Sequence, residues 1–159
     1  MNRFVFASVV ILCSACALRQ TTGDQALSFT VPSSADTLLA RARAELSELG
    51  YEVTPNEDRL VITTPRPIPD SLAGTDSAGA DLTGQLWVLR VSATNQAYSA
   101  GSRATVSAFM FPAGPRDQSA GNVIYEKATP ITRTSNPALF TEVQRVAERI
   151  QDAAVRPDR

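Results

Sequence analysis

The stretch Ser33 to Val53, SSADTLLARARAELSELGYEV, decides the fold, because it contains a helix start, a helix body, a stop signal and the first residues of a strand. Ser33-Ser34-Ala35-Asp36 has the form of a capping box, in which a hydroxyl and a carboxylate three residues apart satisfy the N–H groups that open a helix. Ala35, Leu38, Leu39, Ala42, Leu46 and Leu49 follow at the spacing that places them on one helical face. Gly50 stands in the C-terminal capping position, which favours a residue without Cβ. Arg41 and Glu45, four residues apart, are expected on the outside as a pair worth only a few tenths of a kcal/mol.

Working outward from this helix, the flanking segments read as strands. Ser28 to Val31 alternates and ends before Pro32, as an edge strand does. Tyr51 to Thr54 and Leu60 to Thr64 are β-rich runs around Pro55-Asn56-Glu57-Asp58, whose composition favours a hairpin turn. Glu57 and Asp58 read as solvated turn residues in preference to an acid/base pair. Residues 65 to 83 are rich in Pro, Gly, Ser and Asp without an apolar period, and are expected to form a long mobile loop. Asp70, Asp76 and Asp81 lack the alternating spacing of a calcium loop.

The strongest strand pair is Gln85 to Ala93 with Arg103 to Phe111. Trp87, Leu89, Val91 and Ala93 share one face with Ala104, Val106, Ala108 and Met110, and these form the expected core side. A turn near Tyr98 and Ser99 brings Leu86 and Val88 beside Phe109 and Phe111 on the other face, bordered by Arg90, Arg103, Thr105 and Ser107. Exposed contiguous apolar surface marks interaction sites, so Leu86, Val88, Phe109 and Phe111 are the partner-binding candidates. The bland alternative is that the loop 65 to 83 or the N-terminal tether covers them. A weaker strand is expected over Val123 to Thr132. Asn136 and Pro137 then supply an N-cap and a first-turn proline to a last helix, which buries Leu139, Phe140, Val143, Val146, Ala147, Ile150 and Ala154.

Strand, helix, four or five strands and helix is the order of an α+β fold: an antiparallel sheet of five to six strands with two helices on one face. Five strands at about 4.8 Å span roughly 24 Å, which two helices of about 10 Å each can cover. The opposite face is left for solvent or a partner.

Leu27 to Thr64, with its capped helix ending Leu49-Gly50-Tyr51-Glu52-Val53 and the run Leu60-Val61-Ile62-Thr63-Thr64, resembles the opening half of helix-grip domains. These occur in bacterial cell-envelope lipoproteins, the BamC-type accessory lipoproteins among them. The helix from Asn136 extends the likeness over most of the remaining chain. The sequence departs from the pattern at Asp58-Arg59, where such domains often have Gly. The resemblance implies the fold and, by analogy, an envelope scaffolding role.

The first residues read as an address. Arg3, the apolar run Phe4 to Leu12 and the small residues Ser14, Ala15 and Ala17 have the layout of a secretory signal. Phe4 to Leu18 is shorter than the roughly 20 apolar residues that a membrane span needs. Ser14-Ala15-Cys16 resembles the end of a lipobox, with Cys16 as the lipidated residue, although Cys13 occupies the place where that motif usually has Leu. The rival site, Ala15-Cys16-Ala17, would release a chain beginning at Leu18. On the lipobox reading, residues 1–15 are a signal peptide, 16–26 a lipidated tether and 27–155 a single domain. Ala17 after the cysteine implies, by the same resemblance, the outer membrane facing the periplasm.

Composition sets the remaining bounds. The chain of 159 residues is 43% hydrophobic and has a formal charge of -1, from 15 basic and 16 acidic groups. Without residues 1–15, which contribute only Arg3, the balance is 14 against 16, or -2. That lacks the basic excess with which domains grip nucleic acid. There is no His, and both cysteines, Cys13 and Cys16, lie in the leader region, so the body has neither a His-based metal site nor a thiol nucleophile. Lys127 is the single lysine and the one side-chain amine that could activate a serine. The chain contains no G-x-S-x-G elbow, phosphate loop or dinucleotide fingerprint.

The expectation is therefore a non-catalytic, cofactor-free interaction module, tethered to a membrane through its lipid anchor and meeting an envelope protein. The alternative is a carrier of a lipid or other apolar molecule, with Trp87, Tyr51 and Phe140 around a hollow between helix and sheet. Intact mass and membrane fractionation of the native chain beside Cys16→Ser checks the anchor. The native chain is expected multiply acylated and membrane-bound from Cys16, and the variant soluble or unprocessed; an unmodified chain starting at Leu18 would refute lipidation.

Overall fold

A computed structural model describes residues 21–54, 60–97, 100–112 and 128–156. Cys13, Cys16, Glu57, Asp58, Lys127 and the first half of the expected strand from Val123 lie outside these. The elements run β1 (Thr21–Thr22), β2 (Ala26–Val31), α1 (Ala35–Glu48), β3 (Val53–Thr54), β4 (Leu60–Thr63), β5 (Arg66–Pro67), β6 (Leu86–Asn95), β7 (Ser102–Phe111), β8 (Thr129–Pro130) and α2 (Pro137–Val155). The fold is α+β, as the order of elements requires.

All pairings are antiparallel, and the sheet runs β1-β2-β7-β6-β4-β3. The short β5 pairs with Leu86 and Trp87 beyond the end of β4, and the short β8 pairs with Phe109 and Met110 beyond the end of β2. These two pieces prolong existing lines, so the sheet is six strands wide. Its centre is the β6–β7 pair, ten residues in unbroken register from Leu86↔Phe111 to Asn95↔Ser102. That register is symmetric about the Tyr98-Ser99 bond, where the sequence expects the turn; those two residues lie outside the described ones.

Side chains alternate across the sheet. Trp87, Leu89, Val91, Ala93, Ala104, Val106, Ala108 and Met110 are buried in one cluster with Leu38, Leu46, Val143, Val146 and Ile150 from the helices. Both helices therefore lie on one face, α1 over β6 and β7 and α2 over β2 and β7. The α2 stripe from Leu139 to Ala154 is buried as its spacing requires, and Ala153 joins it.

Helix α1 is delimited by local chemistry. Its N-cap is Ser34, one residue later than the capping box suggests; the Ser34 hydroxyl accepts from the Thr37 N–H at 3.3 Å, and Asn95 Oδ1 accepts from the Ala35 N–H at 2.8 Å. At the other end Gly50 has φ 78°, its N–H donates to Ser47 O, and the Tyr51 N–H donates to Leu46 O at 2.9 Å. This pair of bonds is the Schellman closure, and Leu46 and Tyr51, its apolar contact positions, are both buried.

Arg41 and Glu45 do not form the expected outward pair. The Arg41 guanidinium donates to the carbonyls of Ala153 and Ala154 at the C-terminus of α2, where a cation offsets the helix dipole. Glu45 is only 6% exposed and accepts from Arg149 Nε and Nη2 at 3.2 and 3.1 Å. Both residues join the helices to each other.

Two segments are more structured than their composition suggests. Part of the expected tether belongs to the sheet, since β1 pairs with β2 and Asp24 accepts from the Thr134 N–H and hydroxyl. The stretch 65–83, read as loop, includes β5 and a Thr75↔Asp81 bridge, and it places Ile68 and Leu82 in the core.

A Cβ on Gly50 would meet nothing within 4 Å, so the demand for glycine there is purely conformational. Gly50→Ala is expected to lower stability by about 1–2 kcal/mol in urea denaturation. Gly50→Asn should lose less, because Asn tolerates the left-handed region. Equal losses for the two would place the cause elsewhere.

Candidate functional site

The face of the sheet away from the helices carries the four candidate residues. Leu86 pairs with Phe111 and Val88 with Phe109, so the four form two adjacent rows about 7 Å apart. Ile62 extends the patch through β4, and Pro67 and Pro130, opposite Leu86 and Phe109, border it. The sequence placed these side chains on the right face but misjudged their depth. Val88 is 1% exposed, and Leu86, Phe109 and Phe111 are half-buried. Val88 is thus the floor of the patch, enclosed among larger neighbours, and the other three supply its reachable surface.

Away from this apolar end the same face is polar and small. Arg90 pairs with Ser107, Ser92 with Thr105 and Thr94 with Arg103; Ser28 and Thr105 share a hydroxyl hydrogen bond of 3.1 Å. Arg90 and Arg103 are exposed, and neither guanidinium has a hydrogen bond or ion pair among the described residues. The carboxylate of Glu52, beside the outer β3–β4 edge, accepts from the Thr64 hydroxyl at 3.3 Å. The loop from Ile68 to Leu82 buries its apolar residues in the core with the helices, so those residues do not cover the outer face.

The helix side holds a polar cluster that the sequence reading missed. Tyr51 is buried, meets Trp87 edge-on at 6.0 Å and donates from its hydroxyl to Glu142 Oε1 at 3.2 Å. The Arg66 guanidinium lies 3.7 Å from the Tyr51 ring centroid and 5.4 Å from that of Trp87, a cation–π stack. Arg145 grips both oxygens of Glu142, at 2.6 and 2.8 Å. Burial pushes the Tyr51 hydroxyl up to about 12, with the Arg66 charge opposing. The Arg145 hydrogen bonds hold the Glu142 carboxyl below its ordinary range. Tyr51 is therefore a neutral hydrogen-bond donor at physiological pH, and the cluster ties β5 and the end of α1 to α2. Its one signal in the sequence was the Tyr after the helix-stopping Gly.

A cavity of about 180 Å³ opens where the loop meets the start of α2, between Ser71–Thr75, Leu82 and Asn136–Leu139. It is smaller than the roughly 300 Å³ typical of pockets for drug-sized ligands. Trp87, Tyr51 and Phe140, considered above as the lining of a hollow, are buried core aromatics outside it. Asn136 is 3% exposed and forms no side-chain cap; among the described residues neither of its amide atoms has a hydrogen-bond partner, although a buried unpaired polar group costs about 1–3 kcal/mol.

The aspartates are occupied in turn chemistry. Asp76 accepts from the Ala78 and Ala80 N–H groups, and Asp81 from Thr83, whose bonds lower the Asp81 pKa. Among the described residues no group of three or more His, Cys, Asp or Glu is placed to hold a metal ion. None of their helices is long and apolar enough to cross a membrane.

These elements define a class: a two-layer α+β module with helices on one face of its sheet and a mixed apolar and basic surface on the other. The sequence matches no protein-family model and no curated protein.

The Tyr51 shift has a measurable consequence. Its folded pKa is raised above the unfolded value near 10, so its contribution to stability is complete below pH 10 and is lost as pH rises through 12. Ultraviolet titration of the three tyrosines is expected to show one ionising about two units late, with a parallel loss of stability of the order of 2 kcal/mol. Tyr51→Phe should abolish both; a late tyrosine surviving that change would contradict the assignment.

Proposed function

We propose that the protein is a membrane-tethered, non-catalytic interaction module of the bacterial cell envelope, anchored through Cys16 and meeting a protein partner through the outer face of its sheet. The observation that carries this reading is the distribution of chemistry on that face. Leu86, Phe109 and Phe111 form an apolar strip over Val88, and Arg90 and Arg103 lie farther along it without carboxylate partners among the described residues. Interfaces combine an apolar centre with a polar rim in this way, and arginines and aromatic residues are the side chains they enrich. The lipobox-like Ser14-Ala15-Cys16 supports the tether, and the likeness to helix-grip domains of envelope lipoproteins supports the setting. An outer-membrane, periplasm-facing location and a BamC-like scaffolding role belong to the same proposal.

A photo-reactive phenylalanine analogue placed at Phe109, with a control at Glu48 on the far side, tests the reading in living cells. The expected result is a discrete protein crosslink from position 109 and none from position 48. Phe111→Asp should remove that crosslink with little change in the urea midpoint. Equal crosslinking from both positions, or loss of folding without a specific loss of crosslinking, would overturn the outer face as the interface.

A further inference from the structure

We propose, resting on the outer face as the interface, that what meets it is an acidic polypeptide segment of the partner, whose carboxylates are gripped by Arg90 and Arg103 while an apolar residue of the same segment seats over Val88. The basis is a segregation of charge. None of the eight described strands contains an Asp or a Glu, although the chain has 16 acidic groups against 15 basic ones. The strands carry three arginines. Arg66 is turned to the helix side over the Tyr51 ring, and Arg90 and Arg103 stand exposed on the outer face.

The described part of the fold does not answer those two charges. The buried and half-buried carboxylates of the helices are engaged on the other side of the sheet, Glu45 with Arg149 and Glu142 with Arg145. Glu52, by the outer β3–β4 edge, accepts from the Thr64 hydroxyl and forms no ion pair with either arginine. A basic face on a chain of formal charge -1 is complementary to an acidic partner, and such complementarity sets which partner is admitted.

The register gives the two charges a spacing. Val88 lies opposite Phe109, Arg90 opposite Ser107, and Arg103 opposite Thr94. At about 3.3 Å per residue, Arg90 stands about 7 Å and Arg103 about 20 Å along the strands from the Val88 row. Ser92, Thr105 and Ser107 make a floor of small side chains between them. A segment laid along the strands therefore meets apolar surface first and a guanidinium at each of those distances. Arginine binds a carboxylate through two parallel N–H···O bonds, which a lone positive charge does not offer.

Two other occupants fit the face less well. A second copy related by a two-fold axis would bring four guanidinium groups into one interface with no strand carboxylate to offset them. A bilayer takes up apolar side chains that project into it. Here Val88 is 1% exposed, Leu86 and Phe109 are half-buried, and the one large apolar side chain exposed among the described residues is Val155, at the end of α2.

The test is photo-crosslinking from position 109 of the full-length protein in living cells, in the native background and in two double variants, Arg90→Lys with Arg103→Lys and Arg90→Glu with Arg103→Glu. A discrete protein adduct is expected to persist with the lysines, which keep the charge, and to fall at least tenfold with the glutamates. Arg90→Gln with Arg103→Gln, expected to lower the yield at least threefold, replaces the glutamate pair should that variant unfold in urea at a lower midpoint. Mass spectrometry of the adduct should show at least two Asp or Glu in the crosslinked partner peptide, and Lys at those partner positions should restore the adduct to the glutamate variant. An adduct undiminished by charge reversal, a partner peptide without acids, or an adduct formed with lipid or with a second copy of this chain would overturn the acidic segment. The absence of any discrete adduct from the native chain is a separate result, which removes the outer face as the interface and the acidic segment with it.

Discussion

The pairing of β6 with β7 is the constraint on which the rest of the molecule depends. Ten residues on each strand are in continuous register, and a slip of one residue would turn Trp87, Leu89 and Val91 toward solvent and bring Arg90 into the core. The alternation of the two strands therefore specifies both faces at once. One face is apolar from Trp87 to Ala93 and from Ala104 to Met110 and takes both helices; the other is apolar only where Leu86 and Val88 meet Phe109 and Phe111. Every other strand is recruited to the flanks of this pair, β2 and β8 along β7, and β4 and β5 along β6.

The replacement of long strands by short collinear ones has a local cause on each side. β4 leaves β6 after Ile62, where the buried Thr63 hydroxyl accepts the Leu89 N–H at 2.9 Å and takes over from the backbone ladder. The chain then returns as β5 and carries Arg66 across Tyr51 and Trp87. β2 ends its pairing at Ala26↔Ser107, and β8 resumes the line at Phe109. On both sides a second segment continues the line of the first, and β5 and β8 lead on to the loop 68–82 and to the segment 131–136.

The parts of this architecture that were legible in the sequence are those dictated by neighbours in the chain. The helix stripes, the Gly50 stop and the β6–β7 alternation all follow from side chains within a few residues of one another. What was not legible depends on distant partners. Arg41 and Glu45 look like an ordinary surface pair until α2, more than 100 residues later, supplies carbonyls and Arg149. Ser33 and Ser34 are equally able to cap, and Ser34 serves because the Ala35 N–H is already held by Asn95 from β6. Ile68 and Leu82 are isolated apolar residues in a polar stretch, so no period announces that both enter the core. Alternation likewise assigned Val88 to the outer face correctly, but depth within a face is set by the size of lateral neighbours, which a single strand does not reveal.

The same distinction separates the outer patch from the cavity. The outer patch comes from period-two alternation on paired strands, so its members could be named from the sequence. The cavity exists because a loop without a period is fastened to the end of a helix whose cap is unspent, and only the folded chain brings Leu72, Leu82 and Asn136 together. One segment touches both. Pro130 borders the outer patch beside Phe109, Ile131 is buried in the core, and Asn136 lies in the cavity wall six residues after Pro130. The bonds among Thr132, Ser135 and Asn136 make the intervening turn compact. This short, hydrogen-bonded segment joins the start of α2 to the edge of the outer face, on the opposite side of the sheet.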